Sequence, residues 1–130
     1  MSKKVFLGGT CNESTWREEL IPMLKIDYFN PVVEDWTPEC MDEEIRQRKT
    51  CDFVLYVITP KMTGVYSIAE VVDDSNKRPE KTVFCFLEVH EINGFGKHQV
   101  KSLKSVAKMV ACNGATVCEN LQEVADFLNK

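Results

Sequence analysis

Short apolar runs recur along the chain and predict the strands of an α/β protein. The run at residues 52–58 is the most apolar of them. Strands that are buried on both faces of a parallel sheet have this composition, so we place this run at the centre of a sheet. The same pattern predicts four further strands, at residues 4–7, 26–29, 82–87 and 115–118.

Amphipathic and polar stretches separate these runs and predict helices. The first helix has apolar residues at steps of three and four, and Asn12 or Ser14 would cap it; its apolar face is Trp16, Leu20, Ile21 and Leu24. A polar helix is predicted at residues 39–49, and a longer one at residues 100–112 with a glycine after its end. Asn120 is placed to cap the last helix.

Alternating strands and helices predict one α/β domain over residues 1–130, with a parallel sheet between two helical layers. Right-handed crossovers restrict the strand orders, and we expect a five-stranded sheet of order 2-1-3-4-5. Ligands of such sheets bind outside the carboxyl ends of the strands, where the order reverses. Here the reversal lies between strands one and three. The segments Gly8-Gly9-Thr10, Asn30-Pro31 and 59–67 converge at that point.

Glu70 is the candidate catalytic residue at this point. It follows the central strand by one turn of a helix, which Ser67 would cap. Acidic residues near helix starts complement the helix dipole, and serine is a common cap, so the residue types alone favour a structural role. The position opposite Gly8-Gly9-Thr10 favours a site instead. Those glycines either let a ligand approach the backbone or form a plain turn.

Other carboxylates lie near the predicted crevice, and two carboxylates in different environments can divide the roles of nucleophile and acid. They are Asp35, Asp42, Glu43, Glu44 and Asp52. The polar helix would carry Glu44 toward the central strand. Asp52 lies at the amino end of that strand, so we expect a structural role for it. Trp36 either stacks on a flat base or packs its own loop.

Composition narrows the choice of partners. The net charge is −4 and no broad basic face is evident, which argues against nucleic acid. Six cysteines occur without a CxxC pair, which favours reduced thiols over disulfides or a zinc site. No apolar stretch approaches the roughly 20 residues of a membrane span, and no signal-peptide pattern is present. We therefore expect a cytoplasmic protein.

Several common catalytic and cofactor motifs are missing. Neither GxGxxG nor GxxxxGK[ST] occurs, so no nicotinamide cofactor or P-loop nucleotide chemistry is predicted, and no other cofactor is expected. The chain also lacks HExxH and a serine–histidine–aspartate pattern at a nucleophile elbow. We expect His90 and His98 to lie on the surface.

Six segments, taken in order over about the first 90 residues, resemble the nucleoside 2-deoxyribosyltransferase family, and most closely its small deoxyribosyltransferase-like branch. They are residues 5–10, 16–20, 28–31, 35–36, 51–56 and 66–70. The resemblance implies a flavodoxin-like fold, with nucleosides or nucleotides and free bases as partners. In relatives a neighbouring subunit often completes the site, so a homo-oligomer is expected.

The resemblance also implies a double displacement through a glutamyl-glycosyl intermediate. It carries the nucleophile onto Glu70 and a second acid, which protonates the leaving base, onto Glu44; many relatives have aspartate there, and Glu43 is the alternative. It places Gly8, Gly9, Asn30 and Ser67 along the nucleoside pocket, and their neighbours Thr10, Pro31, Asp35 and Trp36 complete the predicted binding set.

Two departures from the family leave other functions open. The residues before Glu70 are not glycine-rich, and Met62-Thr63-Gly64 stands where an acidic sugar-binding residue is common. A hydrolase of nucleosides or nucleotides, a non-catalytic nucleotide-binding module and an interaction domain without a ligand are the alternatives. For a substrate with a 5′-phosphate, Ser67 and Arg17 are candidate phosphate ligands.

Overall fold

A five-stranded parallel sheet forms the middle layer of the protein. The computed structural model describes residues 2–11 and 13–130. The strands are β1 (Lys4–Gly9), β2 (Asp27–Phe29), β3 (Phe53–Ile58), β4 (Thr82–Phe86) and β7 (Thr116–Cys118). Their order is β2-β1-β3-β4-β7, and every neighbouring pair is parallel. A two-stranded hairpin, β5 (Val89–His90) and β6 (Asn93–Gly94), precedes β7. The predicted order 2-1-3-4-5 is confirmed, with β7 as the fifth strand.

Helices cover both faces of the sheet. They are α1 (Trp16–Leu20), α2 (Pro38–Thr50), α3 (Tyr66–Lys77), α4 (Lys97–Cys112) and α5 (Leu121–Leu128). Side chains of α1 and α5 share one apolar core with the sheet, and side chains of α3 and α4 share the core on the opposite face. This is the three-layer α/β/α arrangement of a flavodoxin-like fold, as the sequence predicts.

The central strand β3 is buried on both of its faces. Leu55 and Val57 point into the core under α1 and α5, while Val54, Tyr56 and Ile58 point into the opposite core. All five are fully buried. Because successive side chains of a strand alternate between faces, a strand with helices on both sides needs apolar residues at every position. The high apolar content of this run therefore predicted its central place correctly.

The first helix is shorter than its apolar spacing predicts. It ends at Leu20, and a 3-10 turn over Ile21–Met23 follows. Pro22 lacks the N–H that the α-helical pattern requires, which accounts for the change. Thr15 is the residue at the cap position, and the Ser14 hydroxyl instead hydrogen-bonds the Thr59 hydroxyl at 3.0 Å. Ser14 is therefore not the cap, and the alternative cap, Asn12, lies outside the described residues.

Two other predicted structural roles, those of Asn120 and Asp52, are confirmed. The Asn120 side chain accepts a hydrogen bond from the Glu123 amide and caps α5. Asp52 accepts a hydrogen bond of 2.8 Å from the Lys4 amide and joins the amino ends of β3 and β1. All six cysteines are free. Within residues 2–11 and 13–130, none of the helices has both the length and the apolar character required to cross a bilayer.

The prediction that His90 lies on the surface is wrong, whereas His98 is exposed as expected. The hairpin folds back against α1, and only 9% of His90 is exposed. Its Nε2 lies 2.5 Å from Glu19 Oε2. Strands of two residues are too short to leave a periodic pattern, so this hairpin could not be predicted from the sequence.

Candidate active site

A cavity of about 470 Å³ opens at the carboxyl end of β1. Its floor is formed by β1, and its walls are formed by the loop before α2, by α2 itself and by the first turns of α3. This is the place where the strand order reverses, since β1 lies between β2 and β3. Open α/β sheets bind their ligands at such points.

Most of the residues predicted for the site line this cavity. The seven are Gly8, Gly9, Pro31, Trp36, Glu44, Ser67 and Glu70. The other three, Thr10, Asn30 and Asp35, are not among the described residues that line it. The Thr10 hydroxyl accepts a hydrogen bond from the Thr59 amide, and the Asn30 side chain accepts one from the Val32 amide. Both side chains thus hold the loops around the cavity.

The two glycines of β1 make room for neighbouring groups. Gly8 lies beside Tyr56 in the register of β1 and β3, and a Cβ at Gly8 would lie 2.7 Å from Tyr56 Cε1. Gly9 has a φ of +119° and packs against the backbone of Val57. A residue with a side chain fits neither position without displacement. The glycines therefore form an open floor, and they also let the Tyr56 ring lie beneath it.

Glu70 is presented to the cavity by the start of α3. The prediction that Ser67 caps this helix is wrong, because Val65 occupies the cap position and Ser67 is already the second helical residue. The Ile68 amide donates a hydrogen bond of 3.0 Å to the Val65 carbonyl, and the helix starts two residues before the expected place. Glu70 thus lies just after the first turn, and only 8% of it is exposed. Glu70 is therefore not a surface residue that complements the dipole of α3.

The Glu70 carboxylate is not held by hydrogen bonds from the described residues. Among the described residues it accepts no hydrogen bond, and its ion-pair partner is Arg48, whose Nη1 lies 3.6 Å from Glu70 Oε2. Burial raises the pKa of Glu70 to about 7; Arg48 opposes this shift, and the charges of Glu44 and Asp74 add to it. A carboxylate with free lone pairs and a pKa near neutrality is suited to attack an electrophilic carbon or to exchange a proton.

Glu44 faces the same cavity from α2 and has a fixed orientation. Trp36 Nε1 donates a hydrogen bond of 2.8 Å to Glu44 Oε2, while 55% of Trp36 remains exposed at the rim. The neighbouring Glu43 accepts hydrogen bonds from Arg46 and Gln47 and does not line the cavity. These contacts favour Glu44 over Glu43 as the second carboxylate of the site.

Arg17 lines the cavity from beneath the glycine turn and is 4% exposed. Its guanidinium donates hydrogen bonds to the carbonyls of Leu7 and Thr10 and lies 4.4 Å from the centre of the Trp16 ring. Burial lowers the pKa of Arg17. Backbone carbonyls occupy most of the N–H groups of Arg17, so this residue stabilises the turn after β1. Few of its N–H groups remain to form a bidentate pair of hydrogen bonds with a phosphate.

The sequence prediction missed a buried polar network behind Glu70. Arg48 of α2 binds Asp74 of α3, and Tyr56 of β3 donates a hydrogen bond of 2.5 Å to the same carboxylate. The available signal was weak: Arg48 follows Glu44 by four residues, and Asp74 follows Glu70 by four, so each pair shares a helix face. No group of histidine, cysteine and acidic residues in the described part of the chain is arranged to hold a metal ion.

The fold and the cavity together define a flavodoxin-like protein with two carboxylates at the switch point of its sheet. Residues 2–88 match the model of a protein family described as nucleoside 2-deoxyribosyltransferase like. The chain belongs to this family. The matched segment contains every residue that lines the cavity. Comparison with curated proteins gives no match for the chain.

Proposed function

We propose that the protein cleaves or exchanges the N-glycosidic bond of (deoxy)nucleosides or nucleotides through a covalent glycosyl intermediate on Glu70. One observation carries this proposal. Within the segment that matches the family, Glu70 is a buried carboxylate on the cavity wall, and no described residue hydrogen-bonds it. In a family of nucleoside 2-deoxyribosyltransferase-like proteins, the natural role for such a group is attack on a sugar carbon.

In the first step, a Glu70 carboxylate oxygen attacks the anomeric carbon of the sugar. The bond from that carbon to the base nitrogen breaks, and its electron pair goes to the base. Glu44, oriented by Trp36, supplies the proton that the departing base needs. The transition state has oxocarbenium character, which a nearby carboxylate stabilises. Gly8 and Gly9 leave the floor open for the sugar.

In the second step, an acceptor attacks the same carbon from the side that the base has left, and Glu70 departs as a carboxylate. A second base as acceptor gives transfer, with Glu44 taking up its proton. Water as acceptor gives hydrolysis. Two displacements retain the configuration at the anomeric carbon in both cases.

The direct test is a base-exchange assay. The protein is incubated with deoxyinosine or deoxycytidine, with and without a free acceptor base, and products are separated by chromatography. We expect release of the base, and a new nucleoside when the acceptor is present. Release without exchange assigns the protein as a hydrolase. Saturable binding without turnover on any nucleoside or nucleotide contradicts the catalytic proposal and supports a binding module.

Glu44→Gln is expected to lower the rate of base release by about 100-fold to 10,000-fold, since an amide donates no proton to the leaving group. Glu43→Gln is the matched control, because Glu43 lies one residue away and is bonded to Arg46 and Gln47. Steady-state kinetics on both variants measures the difference.

A substrate with an N7-methylated purine refines this test, because its cationic base leaves without a proton. On this substrate the Glu44→Gln variant should approach the parent rate. An equal loss on both substrates would assign Glu44 to binding rather than to proton transfer.

The proposal includes a cytoplasmic location and a homo-oligomeric state. Six free cysteines are suited to a reducing compartment. Exposed apolar side chains line the cavity, with Tyr66 at 59% and Val33 at 47% exposure. Contact with a second copy would cover them, and sedimentation of the purified protein as a monomer would count against this part of the proposal.

A further inference from the structure

Arg48 connects α2 to three acidic residues of α3. Only 8% of Arg48 is exposed. Its Nη2 lies 3.0 Å from Asp74 Oδ1 and 3.1 Å from Asp73 Oδ2, and its Nε donates a hydrogen bond of 3.1 Å to Asp74 Oδ2. The remaining nitrogen, Nη1, lies 3.6 Å from Glu70 Oε2. The Nε and Nη2 groups of the guanidinium therefore bind the two aspartates, while Nη1 lies beside the candidate nucleophile.

Asp74, which binds Arg48, is itself held in place by other contacts. Asp74 is fully buried, receives a hydrogen bond of 2.5 Å from the Tyr56 hydroxyl and pairs with Arg78. Burial raises the pKa of Tyr56 above its usual value, so the phenol keeps the proton that it donates. Burial works against the Arg48 charge, but the hydrogen bond with Asp74 and nearby negative charges raise its pKa overall. The cation is thus permanent and fixed in place.

The distance between Arg48 and Glu70 has a chemical consequence. At 3.6 Å the two groups are farther apart than a hydrogen bond allows, yet close enough for strong attraction between opposite charges. A guanidinium that bonded Glu70 directly would occupy a lone pair that the nucleophile needs. Asp74 prevents this by drawing the guanidinium toward itself.

We propose that Arg48 is a positioning residue for the proposed reaction: anchored by Asp74, it keeps Glu70 ionised and directed into the cavity without hydrogen-bonding it. This role rests on the proposed function of Glu70. It explains how a buried carboxylate close to the negative charge of Asp74 stays available as a nucleophile near neutral pH. Arg48 does not contact the sugar or the base, so it is not a catalytic residue.

The sign of the expected pH effect follows from the groups around Glu70. Ionisable groups lie around Glu70, its cavity or Arg48 on each element packed there: Cys11, Arg17, Glu44, Arg48, Tyr56, Tyr66, Asp73 and Asp74. Arg17 is also cationic, but backbone carbonyls bind it. Loss of the Arg48 charge therefore favours protonated Glu70, and the pH at which Glu70 ionises should rise by about 1–3 units.

The experiment follows the ionisation of Glu70 by NMR. Protein labelled with ¹³C at the glutamate carboxyl carbons is titrated with acid, and the Glu70 signal is identified by its absence from Glu70→Gln. We expect an upward shift of the midpoint in Arg48→Gln and a midpoint near the parent's in Arg48→Lys, which keeps the charge. Arg46→Gln is the matched control, because Arg46 is an exposed arginine of the same helix that pairs with Glu43.

Each outcome decides the proposal. An unchanged midpoint in Arg48→Gln, or an equal shift in Arg46→Gln, overturns it. The acid limb of kcat/KM should move with the NMR midpoint. If the parent has no turnover, the proposed function fails, but the titration still reports whether Arg48 controls Glu70. If Arg48→Gln does not fold, the test uses the ¹⁵N signals of the Arg48 guanidinium in the parent protein. We expect these signals to shift as Glu70 titrates. Signals that do not change with pH overturn the proposal.

Discussion

Glu70→Gln is expected to lower base release and base exchange by about 10,000-fold or more, the largest effect of any single substitution on activity. The amide has nearly the same shape but is a very poor nucleophile for the anomeric carbon. Because no described residue hydrogen-bonds Glu70, the contact that changes with the substitution is its ion pair with Arg48. Chromatographic assays with deoxyinosine or deoxycytidine measure the loss.

The same variant should remain folded, which separates lost chemistry from lost structure. Burial holds the pKa of Glu70 at about 7 in the folded protein, above its ordinary value of 4.5. A carboxyl group with a raised pKa costs folding free energy when it is ionised, so the cost is present above pH 7 and vanishes below the ordinary value. Glu70→Gln should therefore melt no lower than the parent at pH 8. Activity within tenfold of the parent would exclude Glu70 as the nucleophile.

Gly9→Ala is expected to destabilise the fold by about 3 kcal/mol, the largest stability effect that we predict. Gly9 has a φ of +119°, and a Cβ there would overlap the carbonyl oxygen of Val57 and lie 2.7 Å from the Val57 amide nitrogen. Both residues belong to the paired central strands β1 and β3, so neither backbone can shift without loss of the sheet register. Urea unfolding measures the change.

Gly64→Ala is the matched control for that experiment. A Cβ at Gly64 has no heavy atom within 4 Å, apart from its chain neighbours, so we expect a change within about 0.5 kcal/mol. Equal stability of the Gly9→Ala and Gly64→Ala variants would show that the close approach of β1 to Val57 does not constrain the fold.

The sheet could be predicted because its determinants are local. Each strand is a short apolar run, and β3 is apolar at every position because both of its faces are buried. Helix ends were harder where a single residue overrides periodicity. Apolar spacing continued the first helix to Leu24, but the proline at position 22 ended the α-helical pattern at Leu20. His90 was misplaced because a hairpin of two-residue strands leaves no pattern in the sequence.

Part of the candidate site could likewise be predicted from the sequence, and part could not. Gly8, Gly9 and Glu70 could be located from the sequence, because the carboxyl ends of β1 and β3 meet by topology and the family motifs mark the same positions. Arg48 and Asp74 could not, because their contact depends on how α2 packs beside α3. Burial of a charged pair is a tertiary property, and neither residue stands out from the other charged residues of its helix.

The most direct measurement is the mass of the protein during turnover. The parent is mixed with excess deoxynucleoside, quenched in acid and digested, and the peptides are analysed by mass spectrometry. We predict that the peptide containing Glu70 gains the mass of one deoxyribosyl residue, and that fragmentation places the added group on the Glu70 side chain. Rapid base release by an enzyme that carries no adduct, or an adduct on another residue, would contradict Glu70 as the nucleophile.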